Sequence, residues 1–530
     1  MPLIFHDVIV QPSTNYLDYN YYTSLFENDL KAVIPESFLL IASLIVLLYG
    51  VFLSNSKDKN YPILVVNASI ISILSLLFTI ILLWNNPISR ATIFYNNLLI
   101  DDLALFLKIL ILLGGLFSIA MSLQYIQNEG LNQFELQLLI LLSSVSMLFL
   151  VSAADFITMY LAIELQSLAF YVMAGVKRDS EFSTEAGLKY FLLGAFSSGI
   201  LLFGLALLYG FTGTTHFSEV SKIFICGSDS LRFGFSSLRG CELGMVFILV
   251  GFLFKLTAVP FHMWAPDVYE GAPTSVTAFF AIVPKVSVLA VLLRLCYQGF
   301  YDFMVPWQKM LILSSIASMV LGSLAALSQN KIKRLLAWSS IGHVGYLLIA
   351  ISCGTVEGIQ AILIYLVIYL VMTIALFAVV LCPLRREKIS SLNSDKLEIS
   401  RLKYLTDFAL LSKTNPVIAI TIMITMFSIA GIPPLAGFYS KAYLMFAAMS
   451  ASQYLLAVVA ILTSVISCFY YIRIVKIIYF EKPTTLLTFI QISKESSLVL
   501  AVTFTFILFF CLNPAPLFLA THKTALAFCF

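Results

Sequence analysis

Charge is what this sequence has least of. Of its 530 residues, 11% are Asp, Glu, Lys or Arg, and the formal net charge is +3. Soluble domains carry roughly 25% charged residues, so this composition excludes a soluble enzyme built from several domains. The basic residues form no cluster interleaved with aromatic residues, which argues against a nucleic-acid partner.

Patterns that bind metals or cofactors are also missing. The eight cysteines are scattered, with no C-x-x-C pair and no His/Cys ligand spacing, so we expect no metal site and no iron–sulfur cluster. No glycine-rich dinucleotide fingerprint follows a predicted strand, so the chain is not expected to oxidise NADH itself. Residues 1–34 lack the basic and apolar regions of a signal peptide and are predicted to form a polar leader outside the first span.

Long hydrophobic runs, by contrast, are abundant. Hydrophobic residues make up 60% of the chain, and the mean hydropathy is +0.97. Runs of about 18 apolar residues recur, the length that crosses ~30 Å of hydrocarbon as a helix. Since lipid offers the backbone no hydrogen-bond partner and two-residue alternation is absent, helices are predicted rather than a barrel. The pattern predicts an all-α membrane protein of about fourteen spans, centred near residues 45, 73, 113, 143, 164, 198, 251, 286, 316, 343, 369, 430, 463 and 504.

The lysines and arginines between the spans predict an orientation. Loops after odd-numbered spans hold roughly 18 of them and the opposite loops about 7, and such an excess marks the cytoplasmic or equivalent side. Both termini should therefore face the other side. Two polar stretches, 214–241 and 383–415, are predicted to be loops.

A few charged residues interrupt the apolar runs. A lysine at the centre of a membrane helix costs at least about 2.5 to 3.5 kcal/mol, so each should pair, line water or reach the interface. Near the ends of their spans, Lys108 and Arg294 are expected to snorkel to the interface. The others are predicted to carry protons, because burial and a nearby carboxylate shift a lysine between its charged and neutral forms. The alternative is a set of static ion pairs that lock helices together. The interrupting residues are Lys108, Glu164, Lys189, Lys255, Lys285, Arg294 and Lys441.

Prolines break two of these segments beside a lysine. Lys255 precedes Pro260, and Lys441 follows Pro433 and Pro434. Interrupted helices at corresponding places in two halves of a transporter indicate an ion path. The alternative is a pair of packing kinks, which would explain the prolines but not the lysines.

Four stretches carry a family resemblance. They are FKLTAVPFHMWAPDVYEGAPTSVTAFFAIVPK at 254–285, MFSIAGIPPLAGFYSK at 426–441, KRLLAWSSIGHVGY at 333–346 and EAGLKYFLLGAFSSG at 185–199. From about residue 36 to 480 the chain resembles NADH dehydrogenase subunit 2, the NuoN-type antiporter-like subunit of respiratory complex I, in its plant-type form with fourteen helices. The leader, an insert at 217–241 and the C-terminal tail depart from that pattern.

The resemblance implies a role for each buried charge. Glu164 would partner Lys255 and modulate its pKa. The two side chains would approach within a direct or water-mediated hydrogen bond. Lys285 would connect two half-channels, and Lys441 would exchange protons with the far side. Pro260, Pro433 and Pro434 would break helices seven and twelve.

Further residues are implied as parts or supports of the path. His343, with Ser339 and Ser340 nearby, could extend the hydrogen-bonded route. Lys189 could lie on the path or form a structural pair. Asp267 is expected to order the loop after the seventh helix.

The resemblance also implies an architecture of two inverted five-helix repeats. The expected parts are a leader (1–34), helices one to three (35–132), a first repeat of helices four to eight (133–298), a second of helices nine to thirteen (299–480), and a last helix with a tail (481–530). Lys255 and Lys441 should coincide when the repeats are superposed after inversion.

Implied partners are other membrane-arm subunits, including a neighbour of the subunit 4 type and small membrane subunits, and lipids such as cardiolipin. This subunit would bind no cofactor, and NADH, FMN, iron–sulfur clusters and ubiquinone would be handled by partner subunits. The implied location is the mitochondrial inner membrane, with both termini toward the intermembrane space. Two alternatives stay open: a monovalent cation/proton antiporter subunit, and a structural subunit that braces the membrane arm and can dispense with the lysines.

Overall fold

The computed structural model describes residues 29–53, 62–86, 88, 90–129, 131, 133–229, 235–382, 384–386, 399–400, 402–409, 411–481, 487–489 and 492–529. Most of the predicted leader therefore lies outside the described residues. Helices dominate the chain. The first group is α1 (Ile34–Leu53), α2 (Pro62–Trp84), α3 (Asp102–Asn128), α4 (Glu135–Ser152), α5 (Phe156–Ala174), α6 (Glu181–Thr212), α7 (Phe217–Asp229), α8 (Phe235–Leu256), α9 (Trp264–Gly271) and α10 (Thr274–Arg294).

The second group of helices completes the bundle. It comprises α11 (Met304–Leu327), α12 (Ile332–Ser352), α13 (Val356–Val380), α14 (Leu411–Thr414), α15 (Pro416–Ala430), α16 (Ala436–Ser450), α17 (Tyr454–Phe480), α18 (Lys494–Phe509) and α19 (Ala515–Cys529). A π-helical turn (Leu295–Gly299) and two 3-10 turns (Tyr301–Phe303, Leu405–Phe408) connect them.

Short strands occur only between helices in the described ranges. β1 (Ala91–Ile93) and β2 (Leu98–Ile100) form an antiparallel hairpin in which Ala91 faces Ile100. β3 (Leu384–Arg386) lies between β4 (Ile399–Ser400) and β5 (Leu487–Phe489), antiparallel to both.

Eleven helices of the described chain are long and apolar enough to cross a membrane: α1 to α6, α10 to α13 and α17. The protein is thus a helical, multi-pass membrane protein. Each of the fourteen span centres predicted from hydropathy falls inside a helix, the additional three inside α8, α15 and α18. The most enclosed spans are α10, α12 and α13, with about nine-tenths of each buried. Functional side chains on these helices face protein rather than lipid.

Two helical segments are broken where the prolines predict it. α8 ends at Leu256 and α9 begins at Trp264, while α15 ends at Ala430 and α16 begins at Ala436. A left-handed residue precedes a proline by three positions at each break: Thr257 (φ 65°) before Pro260, and Gly431 (φ 89°) before Pro434. Glycine adopts this conformation freely, whereas a β-branched residue is strained there. The two breaks therefore share the same arrangement of a left-handed residue and a proline.

The stretch 214–241 is not the loop that its polarity predicted. It contains α7 and the start of α8. Phe217, Val220 and Phe224 are each less than 5% exposed, and their spacing of three and four places them on one face of α7. The polar residues between them, Ser218, Glu219, Ser221 and Lys222, lower the mean hydropathy, which concealed an amphipathic helix.

Candidate functional site: a row of buried lysines

Lys255 lies in the last turn of α8, directly before the break. Its Nζ is buried and has no hydrogen-bond partner within the part of the chain that the structure describes. The nearest aromatic face is Tyr171, whose ring centroid lies 5.9 Å from Nζ. Such a position stabilises an ammonium through the ring quadrupole without giving it a hydrogen-bond acceptor.

Glu164, on α5, interacts electrostatically with Lys255 but does not touch it. One carboxylate oxygen, Oε1, is buried without a hydrogen-bond partner among the described residues, and the other accepts from the Ser167 hydroxyl at 3.4 Å. The direct form of the predicted Glu164–Lys255 hydrogen bond is not made in this structure. The water-mediated form stays a prediction.

Lys255 and Lys285 open into the same cavity, of about 30 Å³. Its wall also carries the polar side chains of Gln166, Ser167 and Thr257. A cavity needs about 10 to 15 Å³ and two or more polar partners to hold a water molecule. This space therefore suits one or two waters between the two lysines.

Lys285 sits in the middle of α10 and is 3% exposed. Its Nζ donates to the Tyr369 hydroxyl at 3.2 Å and to the backbone carbonyl of Ser340 at 3.4 Å. The Tyr369 hydroxyl in turn donates to the carbonyl of Ala281 at 3.2 Å. The ammonium is thus held by α12 and α13 with neutral acceptors only.

A second cavity, of about 20 Å³, lies on the far side of Tyr369. It is lined by Ser339, Ser340 and His343 among other residues. The two serine hydroxyls donate to carbonyls one turn back in their own helix, both at 2.8 Å. Their hydroxyl protons are therefore committed, whereas oxygen lone pairs remain available to the cavity.

His343 is enclosed between two tyrosine hydroxyls. Its Nδ1 lies 2.6 Å from the Tyr365 Oη, and its Nε2 lies 3.4 Å from the Tyr471 Oη. A neutral imidazole has one donor and one acceptor nitrogen, so it can take a proton on one side and release one on the other. Both Lys285 and Lys441 act on it electrostatically.

Lys441, on α16, ends the row and is 6% exposed. Its Nζ donates at 2.9 Å to the carbonyl of Ala430, which the break leaves without a partner in its own helix. The ring centroid of Tyr346 lies 5.4 Å from the same Nζ. The Tyr346 hydroxyl lies 3.2 Å from the Thr463 hydroxyl on α17.

A proton-antiporter family model matches residues 153–467, which include the whole row; its description reads NADH:quinone oxidoreductase/Mrp antiporter, TM. The NADH-ubiquinone oxidoreductase chain 2 of Marchantia polymorpha is 56% identical, over 95% of this chain and 100% of its own length. The NADH-quinone oxidoreductase subunit N of Paramagnetospirillum magneticum is 42% identical, over 94% and 97%. This chain belongs to the chain 2/subunit N family of NADH:quinone oxidoreductase.

The solved structures agree with that assignment. A chain from respiratory complex I of Thermus thermophilus, with bound aureothin, is 28% identical and has a TM-score of 0.73, over 92% of this chain and 99% of its own. The family resemblance carried by the four sequence stretches is therefore confirmed.

Tyrosines are the side chains beside the row that the sequence did not point to. Tyr171, Tyr369 and Tyr346 each lie beside one lysine of the row. In apolar runs these tyrosines look like core residues, and the one signal that could have revealed any of them is the spacing of Tyr365 and Tyr369. These two are four residues apart and thus share one face of α13.

Lys189 lies outside the row. Its Nζ pairs with Glu185 at 2.6 Å and with Asp267 at 3.2 Å, and its side chain is 43% exposed. The geometry favours a structural pair over a step on the path. Asp267 lies within α9 and also faces Arg334 at 3.9 Å, which ties α6, α9 and α12 together.

Two predictions about charged side chains were wrong. Lys108 and Arg294 do not snorkel, because they are 3% and 0% exposed. Lys108 Nζ lies 2.5 Å from the Glu36 carboxylate, and Arg294 Nη2 lies 2.6 Å from that of Asp101. A carboxylate on a neighbouring segment makes burial possible where a lone charge would have to reach water. The sequence showed Glu36 and Asp101 only as acidic residues at helix starts.

Proposed function

We propose that this chain is the membrane subunit of respiratory complex I that conducts protons along Glu164, Lys255, Lys285, His343 and Lys441. Support comes from its relatives, which are named as chain 2 or subunit N of NADH-ubiquinone or NADH-quinone oxidoreductase. The redox reaction from NADH to ubiquinone, with FMN and the iron–sulfur clusters, belongs to partner subunits. This chain contributes proton translocation coupled to that reaction.

The continuity of the row is the observation that carries the proposal. Lys255 and Lys285 share one cavity, and the Tyr369 hydroxyl that binds Lys285 borders the next cavity, where His343 lies. His343 and Lys441 then interact electrostatically. The steps from Lys255 to His343 join groups that share a cavity or a hydrogen bond and can exchange a proton through one or two waters. We infer the same for the step from His343 to Lys441.

The protein environment suits a transferable proton better than a fixed charge. Lys285 and Lys441 are bonded to hydroxyl and carbonyl oxygens rather than to carboxylates. Burial disfavours the charged form of a lysine, and neutral acceptors offset only part of that cost. Among the described residues, the carboxylate that acts on the row is that of Glu164, at one end. Its approach to Lys255 or its retreat would bias the position of the proton.

We infer the finer architecture from the same features. Fourteen spans would include the broken pairs α8–α9 and α15–α16, each counted as one. Residues 133–298 and 299–480 would form two inverted repeats that bring Lys255 and Lys441 into equivalent places. Residues 1–34, 35–132 and 481–530 would then be the leader, the first three helices and the last helix with its tail.

The inferred setting is the mitochondrial inner membrane, with both termini toward the intermembrane space. Partners would be the other membrane-arm subunits, among them a neighbour of the subunit 4 type and small membrane subunits, together with lipids such as cardiolipin. The basic residues in loops after odd-numbered spans support this orientation.

Substitution of Lys441 by methionine tests the function. Methionine keeps an unbranched stem but cannot titrate, so proton translocation by the purified, assembled complex should fall while NADH oxidation with an artificial acceptor continues. Lys476→Met is the control, because that side chain is 66% exposed at the end of α17. If an assembled Lys441→Met complex pumps at the parental proton-to-electron ratio and rate, the chain is a brace rather than a conductor. Co-purification with NADH-oxidising partners separates the proposal from a free-standing cation antiporter.

A further inference from the structure

A cavity of about 310 Å³ is lined by none of the residues of the lysine row. It is bordered by the loop before α6, the end of α9, the start of α10, the start of α12 and residues 402–404. Small-molecule pockets in proteins occupy roughly 300 to 1,000 Å³. The space is therefore sufficient for a small ligand or for the headgroup of a larger one.

Four lysines line this cavity: Lys177, Lys331, Lys333 and Lys403. Glu270 is the single carboxylate among the lining residues that the structure describes, and it pairs with Lys331. Lys177 pairs with Glu129 at 3.2 Å. Even with both carboxylates counted, the cavity keeps an excess of positive charge.

Lys333 and Lys403 lie close enough for their charges to interact. Lys333 Nζ donates to the carbonyl of Ala272 at 2.8 Å; Glu270 attracts its charge, and Lys403 repels it. No carboxylate of the described residues lies within ion-pair distance of either ammonium group. Like charges gathered at a concave surface favour a bound anion, which would remove the repulsion.

Three long helices also begin at this cavity. Ser180, Pro273 and Lys331, which are the N-cap residues of α6, α10 and α12, all belong to its wall. In none of these three described helices does the N-cap side chain bond to the first turn. Helix starts carry partial positive charge and free N–H groups. They add to the field of the lysines.

We propose that this cavity binds a phosphate group, as inorganic phosphate or as the phosphodiester of an anionic lipid headgroup. Lys333 and Lys403 would contact it directly, and Lys177 and Lys331 would contribute at longer range. Phosphate suits the site because it accepts several charge-assisted hydrogen bonds at once from groups that converge on one point. The exposed side chains of Phe182 and Tyr404, which also line the cavity, would lie beside the glycerol backbone of a lipid.

The test uses the whole purified complex, with Lys333→Gln and Lys403→Gln made separately. Lys476→Gln is the control: it removes the same charge from an exposed position outside the cavity. In one arm, delipidated complex is dialysed to equilibrium against radiolabelled inorganic phosphate. In the other, the complex is reconstituted in phosphatidylcholine vesicles that contain a photoreactive cardiolipin, and cross-links are mapped by mass spectrometry.

Each site variant should lower occupancy about fivefold, as expected for one lysine acting on a phosphate near the membrane surface. Saturable phosphate binding that depends on both lysines identifies a free-phosphate site. Cross-links to residues 177–183 or 402–404 that depend on both lysines identify a lipid site. Either result supports the proposal. It is overturned if neither probe is retained in a lysine-dependent way, or if Lys476→Gln lowers retention as much as the site variants. Lys403 is exposed on a connecting segment, so its variant tests the site even if Lys333→Gln impairs assembly.

Discussion

Gly431 and Lys441 pack so closely that a Cβ added to Gly431 would lie 3.0 Å from the Cδ of Lys441 and 3.5 Å from its Nζ. Gly431 also has a left-handed backbone, with φ of 89°. The residue at the break thus determines both the local turn and the position of the terminal lysine.

Gly431→Ala should therefore impair proton translocation without removing any titratable group. A left-handed alanine costs about 1 to 2 kcal/mol, and the added methyl group displaces the Lys441 side chain. We expect proton-coupled quinone reduction in proteoliposomes to slow by about fivefold or more. Gly210→Ala is the control, because no described atom would lie within 4 Å of its Cβ. Equal rates for the two variants would show that the Lys441 position is not critical.

Tyr369→Phe should interrupt the middle of the row. The substitution keeps the ring beside Lys285 but removes the hydroxyl that binds Nζ at 3.2 Å. A hydrogen bond to a charged group contributes about 1.5 to 3 kcal/mol, so turnover coupled to pumping should fall about tenfold. Tyr454→Phe, at a side chain 65% exposed, provides the matched control. Parental pumping by an assembled Tyr369→Phe complex would remove this hydroxyl from the path.

The Lys108–Glu36 pair should stabilise the bundle rather than conduct. Removing one partner of a buried pair costs about 3 to 5 kcal/mol, whereas replacing both is often close to neutral. Lys108→Met and Glu36→Met should each lower the thermal stability of the complex, and the double variant, with two apolar side chains, should recover most of it. Pumping by the double variant should match the parent.

An exposed ion pair provides the control for that experiment. Arg90 and Asp102 lie 3.3 Å apart, with the Arg90 side chain 61% exposed. Arg90→Gln should change stability by less than about 1 kcal/mol. Stable double variants of Lys108 and Glu36 that fail to pump would place this pair on a second proton route.

Lys189→Gln should leave pumping within about twofold of the parent, because Lys189 lies in exposed ion pairs outside the row. Lys285→Met, measured in parallel, should abolish it. Both lysines lie in spanning helices, so the comparison shows which of them carries protons. Loss of pumping in an assembled, thermally stable Lys189→Gln complex would contradict the structural interpretation.

The free-energy cost of a charge in lipid explains why the sequence could predict the buried lysines and the positions of the helices. Three lysines stand out because an ammonium group in an apolar run is costly unless it is paired or hydrated: Lys255, Lys285 and Lys441. The same cost keeps charged residues out of most of each span, so hydropathy could locate the helices. The partners were not predictable. Glu36 is 72 positions from Lys108, and Asp101 is 193 from Arg294, so only the packing of helices brings them together.

Side-chain polarity was a poor guide to the site, because it pointed to some hydroxyls that are bonded elsewhere and missed others that contact the row. The Ser339 and Ser340 hydroxyls were predicted to lie near the proton path, but they donate to carbonyls of their own helix. Tyr369 and Tyr365, inside an apolar run, form contacts with Lys285 and His343. The sequence gives the composition of a helix face, whereas the role of a hydroxyl depends on which acceptor it meets.

The depth of the lysine row has an electrical consequence. Lys285 lies mid-helix, and Lys255 and Lys441 lie beside the two helix breaks, so we expect the row to run along the membrane plane. A charge that crosses the whole membrane does work of about 2.3 kcal/mol per 100 mV, but a proton that hops within one plane does almost none. Transmembrane voltage should therefore act on the two short passages that join the row to the aqueous phases. Transfers from lysine to lysine should be nearly independent of it.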